Sequence, residues 1–337
     1  MNYVLKKEVF SKFVNSVLKE KGIDFIAPVK SEQNDIIKFQ KLISFSDLCL
    51  DKNAYYPLKE WFFKKNEVLF EFKGDKITIP EKKPKPKIFF GVRRCDLNSI
   101  NRQDVAFSEG CWDPYYFLER EASTLIGYHC FEKEDNYCFC GSVGLEDHYD
   151  LMFYDRGDYF LVEIGSKKGA WFLKQRIRFF KKTTERLSAR KKVIKNANRL
   201  QKKNIAPFYD HKNWKKGVDL CLGCTSCNTL CPSCYCFEFK DKVNISNLKN
   251  GKRIREWSAC QLKDFSEVAG NHIFRSDREH RFKHRIYHQL QYFNEKHGKH
   301  LCSGCGRCIR GCPTRIDFVG ILNNMKTKKP NVKKPKK

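Results

Sequence analysis

The chain has 337 residues, with 66 Lys and Arg against 39 Asp and Glu for a formal charge of +27, and it carries 17 cysteines. That length exceeds a single small module and accommodates two separate cores. Lys, Arg, Asp or Glu soon interrupt every apolar run, which excludes a membrane-spanning helix, and no apolar signal segment follows the start, so the thiols are expected reduced in a cytoplasmic protein.

From Leu5 to Lys21 apolar residues recur at helical spacing and predict an amphipathic helix. Short β-rich runs follow at Phe25–Val29, Val68–Phe72, Lys87–Val92, Thr124–His129, Leu151–Tyr154 and Tyr159–Ile164. Helical candidates lie at Leu97–Val105 and Tyr115–Glu121, and Arg156-Gly157-Asp158 reads as the hairpin turn between the last two strands. Residues 1–165 therefore read as a mixed α/β domain. After Gly169 the pattern turns helical, through Trp171–Phe180 and Thr184–Lys202 to about Trp214, which predicts a helical connector over residues 166–217. Residues 218–325 hold two cysteine motifs and a helical candidate at Asp277–Lys296. The tail 326–337 is rich in Lys, broken by Pro330 and Pro335, and expected to be disordered. The fold class expected is α+β.

The motifs carry the chemistry. Cys221, Cys224, Cys227 and Cys231, followed by Pro232, fit C-x2-C-x2-C-x3-C-P, and Cys302, Cys305, Cys308 and Cys312, followed by Pro313, repeat it. The tight spacing wraps three thiolates round one cuboidal [4Fe–4S] cluster, while the Pro turns the fourth Cys towards the other cluster. Cluster one is thus expected on Cys221, Cys224, Cys227 and Cys312, and cluster two on Cys302, Cys305, Cys308 and Cys231. Zinc, which paired C-x2-C runs also bind, is the alternative. Gly223, Gly304 and Gly306 suit loops whose backbone N–H groups approach cluster sulfurs. The segment Ser233–Leu301 between the motifs is too long for a hairpin, so residues 218–325 are expected to form an α-helical dicluster ferredoxin domain with an insertion.

The surrounding residues resemble the β subunit of cytoplasmic NiFe sulfhydrogenases, and they are similar also to the A subunit of anaerobic sulfite reductase. The resembling stretches begin at Tyr56-Pro57-Leu58-Lys59-Glu60-Trp61-Phe62-Phe63 and Gly91-Val92-Arg93-Arg94-Cys95-Asp96. They continue with Tyr137-Cys138-Phe139-Cys140, Cys231-Pro232-Ser233-Cys234-Tyr235-Cys236 and Val268-Ala269-Gly270-Asn271-His272-Ile273-Phe274-Arg275. Trp257-Ser258-Ala259-Cys260 departs from the family, which has Asp after Trp. The resemblance implies a hetero-oligomeric relay: a flavin subunit exchanges hydride with NAD(P)H, this chain passes single electrons, and hydrogenase small and large subunits, or sulfite reductase subunits, perform the terminal chemistry. The chain itself has no G-x-G-x-x-G after a strand, no P-loop and no G-x-S-x-G turn, so it reads as a carrier and not as a nucleotide-binding catalyst.

A third [4Fe–4S] cluster is expected on Cys95, Cys130, Cys138 and Cys140, because Cys95 and Cys130 follow strands and Cys138-Phe139-Cys140 closes the same region. The resemblance supports it, since these four match family cysteines, while Cys49 and Cys111 do not; zinc remains an alternative there. Cys234, Cys236 and Cys260 are either further ligands or small buried thiols packed near the clusters. His280, His284 and His288 stand about one helical turn apart, a spacing that suits a metal but equally a basic helix face. The scattered lysines fit a solvated surface or docking on acidic partners; the stretch from Arg275 to His288, the one candidate for a nucleic-acid surface, is read instead as packing beside the clusters or facing a partner.

Overall fold

The structure, a computed structural model, describes residues 2–31, 35–201 and 204–326. The strongly basic tail beyond Lys326 lies outside the described residues, so the expectation of disorder there is not addressed by it.

Among the described residues ten strands precede the cysteine motifs: β1 (Asn2–Lys6), β2 (Asp24–Lys30), β3 (Ile37–Lys41), β4 (Asn66–Lys73), β5 (Lys76–Thr78), β6 (Lys87–Val92), β7 (Ser123–Tyr128), β8 (Leu151–Asp155), β9 (Tyr159–Ile164) and β10 (Lys181–Thr183). Eight of them form one sheet in the order β10-β1-β9-β8-β7-β6-β2-β3. Its middle, β2, β6, β7 and β8, is parallel, and antiparallel strands close both edges. A strand buried on both faces alternates its side chains between two cores. Ile88 and Phe90 accordingly join Phe153 and Val162 under the helix Phe10–Leu18 and the helix Lys167–Lys174. Phe89 and Val92 join Leu125 and Met152 on the other face, under the helices Arg94–Ser108 and Pro114–Glu121.

The helix expected from Leu5 is shorter and later than the sequence suggests. Asn2–Lys6 is a strand held between β9 and β10, and the helix begins only at Phe10. The connector also differs. Thr184–Lys202 contains one short 3-10 turn, Ala189–Lys192, among the described residues, and its basic run is open chain where a helix was expected. With charges of one sign along it, such a helix would carry like-charge i,i+4 pairs.

The second half adds β11 (Phe237–Asn244) and β12 (Asn247–Trp257), a long hairpin that the helical reading of residues 218–325 did not include. Sheet order β11-β12-β4-β5 ties this hairpin to the N-terminal half, with Arg253 opposite Phe70 and Glu256 opposite Asn66. The helix expected at Asp277–Lys296 is present as Arg278–Tyr287, a π-helical turn His288–Tyr292, and Phe293–His297. Trp214, Phe282, Ile286, Leu290, Ile309 and Val319 form its core, and Phe139 enters that core fully buried from the N-terminal half.

Candidate metal centre

All eight motif cysteines, Cys221, Cys224, Cys227, Cys231, Cys302, Cys305, Cys308 and Cys312, line one cavity between the two motif loops and the helix bearing Phe282, Arg285 and Gln289. Each loop turns through left-handed backbone at matching positions: Gly223 and Thr225 in the first, Gly304 and Gly306 in the second. Among the described residues no three His, Cys, Asp or Glu side chains converge closely enough for a single metal ion. The thiols instead surround a space fit for a larger group, and the donor set, all thiolate, is the one iron–sulfur clusters take.

Burial pushes the Cys227 thiol up to about 11 and Cys302 up to about 12, so without added positive charge these sulfurs would stay protonated. Bound metal ions invert that, because a coordinating thiol gives up its proton outright. Negative charge on Cys231 acts on Cys302, Cys305 and Cys308. After burial, Cys227 feels the positive charge of Arg285 first and then negative charge on Cys260 and Cys221.

The second motif is pressed against the N-terminal half. A Cβ on Gly304 would lie 2.5 Å from Cys140 Cα, and one on Gly306 would lie 2.6 Å from the Tyr137 carbonyl carbon. Phe139 N–H donates to the Gly304 carbonyl at 2.8 Å. Around this contact, Arg307 pairs with Asp96, Arg310 with Asp135 at 2.6 Å, and the Ser99 and Ser303 hydroxyls meet at 2.9 Å. The first motif has no such cover: Gly223 has open space, Cys224 is exposed, and Leu220 and Leu222 project into solvent.

The four N-terminal cysteines are brought together at this seam. Cys95 is in the first turn of the helix Arg94–Ser108 just past β6, Cys130 lies just past β7, and Cys140 opens the short helix Cys140–Val143. These are the carboxyl ends of adjacent parallel strands, where side chains of α/β sheets converge on ligands. Cys95, Cys130 and Cys140 pack in one cluster with Cys305, and Cys138 Sγ lies 3.9 Å from the Cys305 carbonyl oxygen. Burial, then the charges of Cys138 and Cys305, push Cys140 up to about 12; burial and Asp135 push Cys138 up to about 11. Asn53 Nδ2 donates to Cys95 Sγ at 3.4 Å.

Cys234, Cys236 and Cys260 also meet. Cys234 is hydrogen-bonded to Cys231, and Cys236 to Cys260. Asn228 Nδ2 reaches Cys260 Sγ at 3.2 Å and Cys234 Sγ at 3.8 Å, and Gln289 Nε2 reaches Cys234 Sγ at 3.5 Å. Two cations missed by sequence reasoning face these thiols. Lys59 is buried, its ammonium donating to the carbonyls of Asn228 at 2.9 Å and Cys234 at 3.3 Å and lying 4.3 Å from the Trp257 ring centroid. Arg285 is buried among Cys234, Cys231, Cys227 and Cys308 and donates to the Cys227 carbonyl at 3.0 Å. Their only sequence signal was position within the family-like stretch at Lys59 and the basic stretch at Arg285.

The remaining candidates separate. Cys49 packs partly buried at the sheet core, and Cys111 is exposed, its Sγ 3.9 Å from the Trp112 carbonyl oxygen. The His284 and His288 rings stack at 5.9 Å, His288 faces the Tyr235 hydroxyl, and His280 is exposed, so the three do not form a metal site.

Residues 220–316 match the 4Fe-4S dicluster domain family. Over 97% of its length the chain is 33% identical to the β subunit of sulfhydrogenase 2 from Pyrococcus furiosus, of which it covers 99%. No solved structure is detectably similar to it. Among the described residues no helix is long and apolar enough to cross a membrane.

Proposed function

The chain belongs to the sulfhydrogenase β-subunit family, and from that premise we propose that it is the electron-transfer subunit of a hydrogenase complex, relaying electrons between a flavin subunit that exchanges hydride with NAD(P)H and the NiFe catalytic subunits. The observation that carries this reading is the unbroken series of thiols from the exposed Cys224, through the cavity of eight cysteines, to Cys305 and the N-terminal set at the seam. A [4Fe–4S] cluster accepts and releases one electron at a time. The residues do the rest: cysteines hold the clusters, the glycine turns admit backbone N–H groups to them, and the seam fixes the spacing between the two halves.

In this reading Cys221, Cys224, Cys227 and Cys312 hold one cluster, and Cys302, Cys305, Cys308 and Cys231 the second. The influence of Cys231 on all three C-x2-C thiols of the second motif supports the crosswise pairing. Cys95, Cys130, Cys138 and Cys140 hold a third. Residues 1–165 then act as an α/β domain, 218–325 as a ferredoxin domain that carries helices and the inserted strands, and 166–217 as the connector. The exposed Leu220 and Leu222 beside the first motif, on a chain with a charge of +27, suit an acidic partner subunit with an apolar centre. The reduced thiols fit a cytoplasmic setting.

The test uses the full chain purified anaerobically. Alone it takes electrons from dithionite but oxidises neither NADPH nor hydrogen, and with the flavin and NiFe subunits added, NADPH-dependent hydrogen evolution appears. Nucleotide oxidation by the flavin-free chain alone would overturn the relay.

A further inference from the structure

We propose that Cys234, Cys236 and Cys260 hold an additional iron–sulfur cluster, beyond those of the three cysteine sets above, in which one iron has no cysteine ligand and is open to small molecules. The inference begins from charge. Lys59 and Arg285 are 4% and 8% exposed, and neither has a carboxylate partner among the described residues. A buried cation without an anion costs several kcal/mol in order of magnitude, and proteins keep one only where negative charge meets it. Burial, and the charge of Arg285, work to strip the proton from Lys59, and negative charge on Cys234, Cys231 and Cys236, two of them outside both motifs, opposes that. Arg285 faces Cys234 and Cys231 first, then Cys227 and Cys308. Cys231, Cys227 and Cys308, as ligands of the first two clusters, already bring negative charge to Arg285; Lys59 shares only Cys231 with those clusters, and neutral thiols at Cys234 and Cys236 would add nothing to it. Iron-bound thiolates and sulfides supply the missing charge.

Three further observations agree. Cys234 and Cys236, though not Cys260, line a separate cleft of about 90 Å³ with Lys59, Asn228, Trp257 and Ser258, beside the eight-cysteine cavity. The amides of Asn228 and Gln289 point N–H groups at Cys260 and Cys234, and such bonds stabilise anionic cluster sulfur. Among the described residues, Cys49 and Cys111, which belong to no set, accept no hydrogen bond from a side-chain amide. Three thiolates serve three of the four irons of a cubane. The fourth faces a cleft whose remaining lining, Thr225, Thr229, Ala259 and Leu262, provides no acidic or imidazole ligand.

The inference uses the relay reading only for its source of electrons; as a metal site it stands separately. The experiment compares the full chain, purified anaerobically, with Cys236→Ser/Cys260→Ser and with Cys95→Ser/Cys130→Ser, by iron, sulfide and zinc content and by electron paramagnetic resonance after dithionite reduction. The first variant should lose about four iron and four sulfide per chain while the signals of the other clusters persist. Unchanged iron, or the loss of zinc in its place, overturns the additional cluster and leaves the relay untouched. Loss of all iron from the wild-type chain would overturn the relay as well. A second measurement does not depend on the variant folding: cyanide added to the reduced wild-type protein should change one cluster signal, and a spectrum insensitive to cyanide overturns the open iron.

Discussion

Asp96 and Arg307 form a bidentate ion pair, Nη1 to Oδ1 at 2.6 Å and Nη2 to Oδ2 at 2.8 Å, between side chains with essentially no solvent exposure. Asp96 follows Cys95 of the N-terminal set, and Arg307 stands between Cys305 and Cys308 of the second motif. The guanidinium also donates to the Ala54 carbonyl at 2.9 Å and to Asn53 Oδ1 at 2.8 Å. One side chain therefore fixes the spacing of two cysteine sets that are more than 200 residues apart in sequence.

Removing one partner strands the other charge in the interior, which costs about 3–5 kcal/mol, whereas replacing both with apolar groups costs far less. Asp96→Asn should lower the free energy of urea unfolding by that order, and Asp96→Leu/Arg307→Met should recover part of it. A double variant as unstable as the single one would show that packing, not charge, holds the seam.

The two motif loops should respond differently to the same substitution. Gly304→Ala forces a methyl against Cys140 backbone in a left-handed turn, so it should deplete iron from the second motif and the N-terminal set together. Gly223→Ala meets no atom within 4 Å and carries only the left-handed penalty of about 1–2 kcal/mol. Iron analysis of the two variants separates the effects; equal depletion would contradict the role given to close approach.

Crosswise ligation is open to a paired comparison. Cys312→Ser should impair the cluster of Cys221, Cys224 and Cys227, and Cys231→Ser that of Cys302, Cys305 and Cys308, as resolved by magnetic resonance of the reduced proteins. Each variant losing the cluster of its own motif would mean sequential ligation.

Burial first, and then the nearby arginine charges, lower His284 and His288 to about 4. Between about pH 6.5 and 4 the unfolded chain binds protons there that the folded chain refuses, so stability falls as the pH drops through that window and is unaffected by these groups above it. Urea midpoints at pH 7 and pH 5 should differ less in His288→Gln than in the wild type, and an unchanged difference would count against a buried neutral imidazole.

The parts of the centre that sequence could reveal are those written in local spacing. Each C-x2-C-x2-C loop is one continuous turn, and Cys95 and Cys130 stand just past strands that apolar runs mark plainly. Lys59 was invisible as a site residue because its partners at Asn228 and Cys234 are 169 and 175 positions away. The hairpin β11–β12 was missed for a related reason. Its Lys, Asp and Asn residues disfavour a strand by themselves, and pairing with β4 overrides that preference. Asn2–Lys6 likewise takes its conformation from β9 and β10, which lie far along the chain.

The pairing of β4 with β12 bears on how the protein is made. When β4 leaves the ribosome its partner is still about 180 codons from being translated, and until then one side of β4 offers unpaired N–H and C=O groups to any passing strand. A truncated gene ending in the connector would leave that edge open permanently, with the loops that meet Gly304 and Gly306 uncovered as well. The N-terminal half is thus not a detachable cassette, and the order of folding on the ribosome must keep it protected until the last cysteine motif has been synthesised.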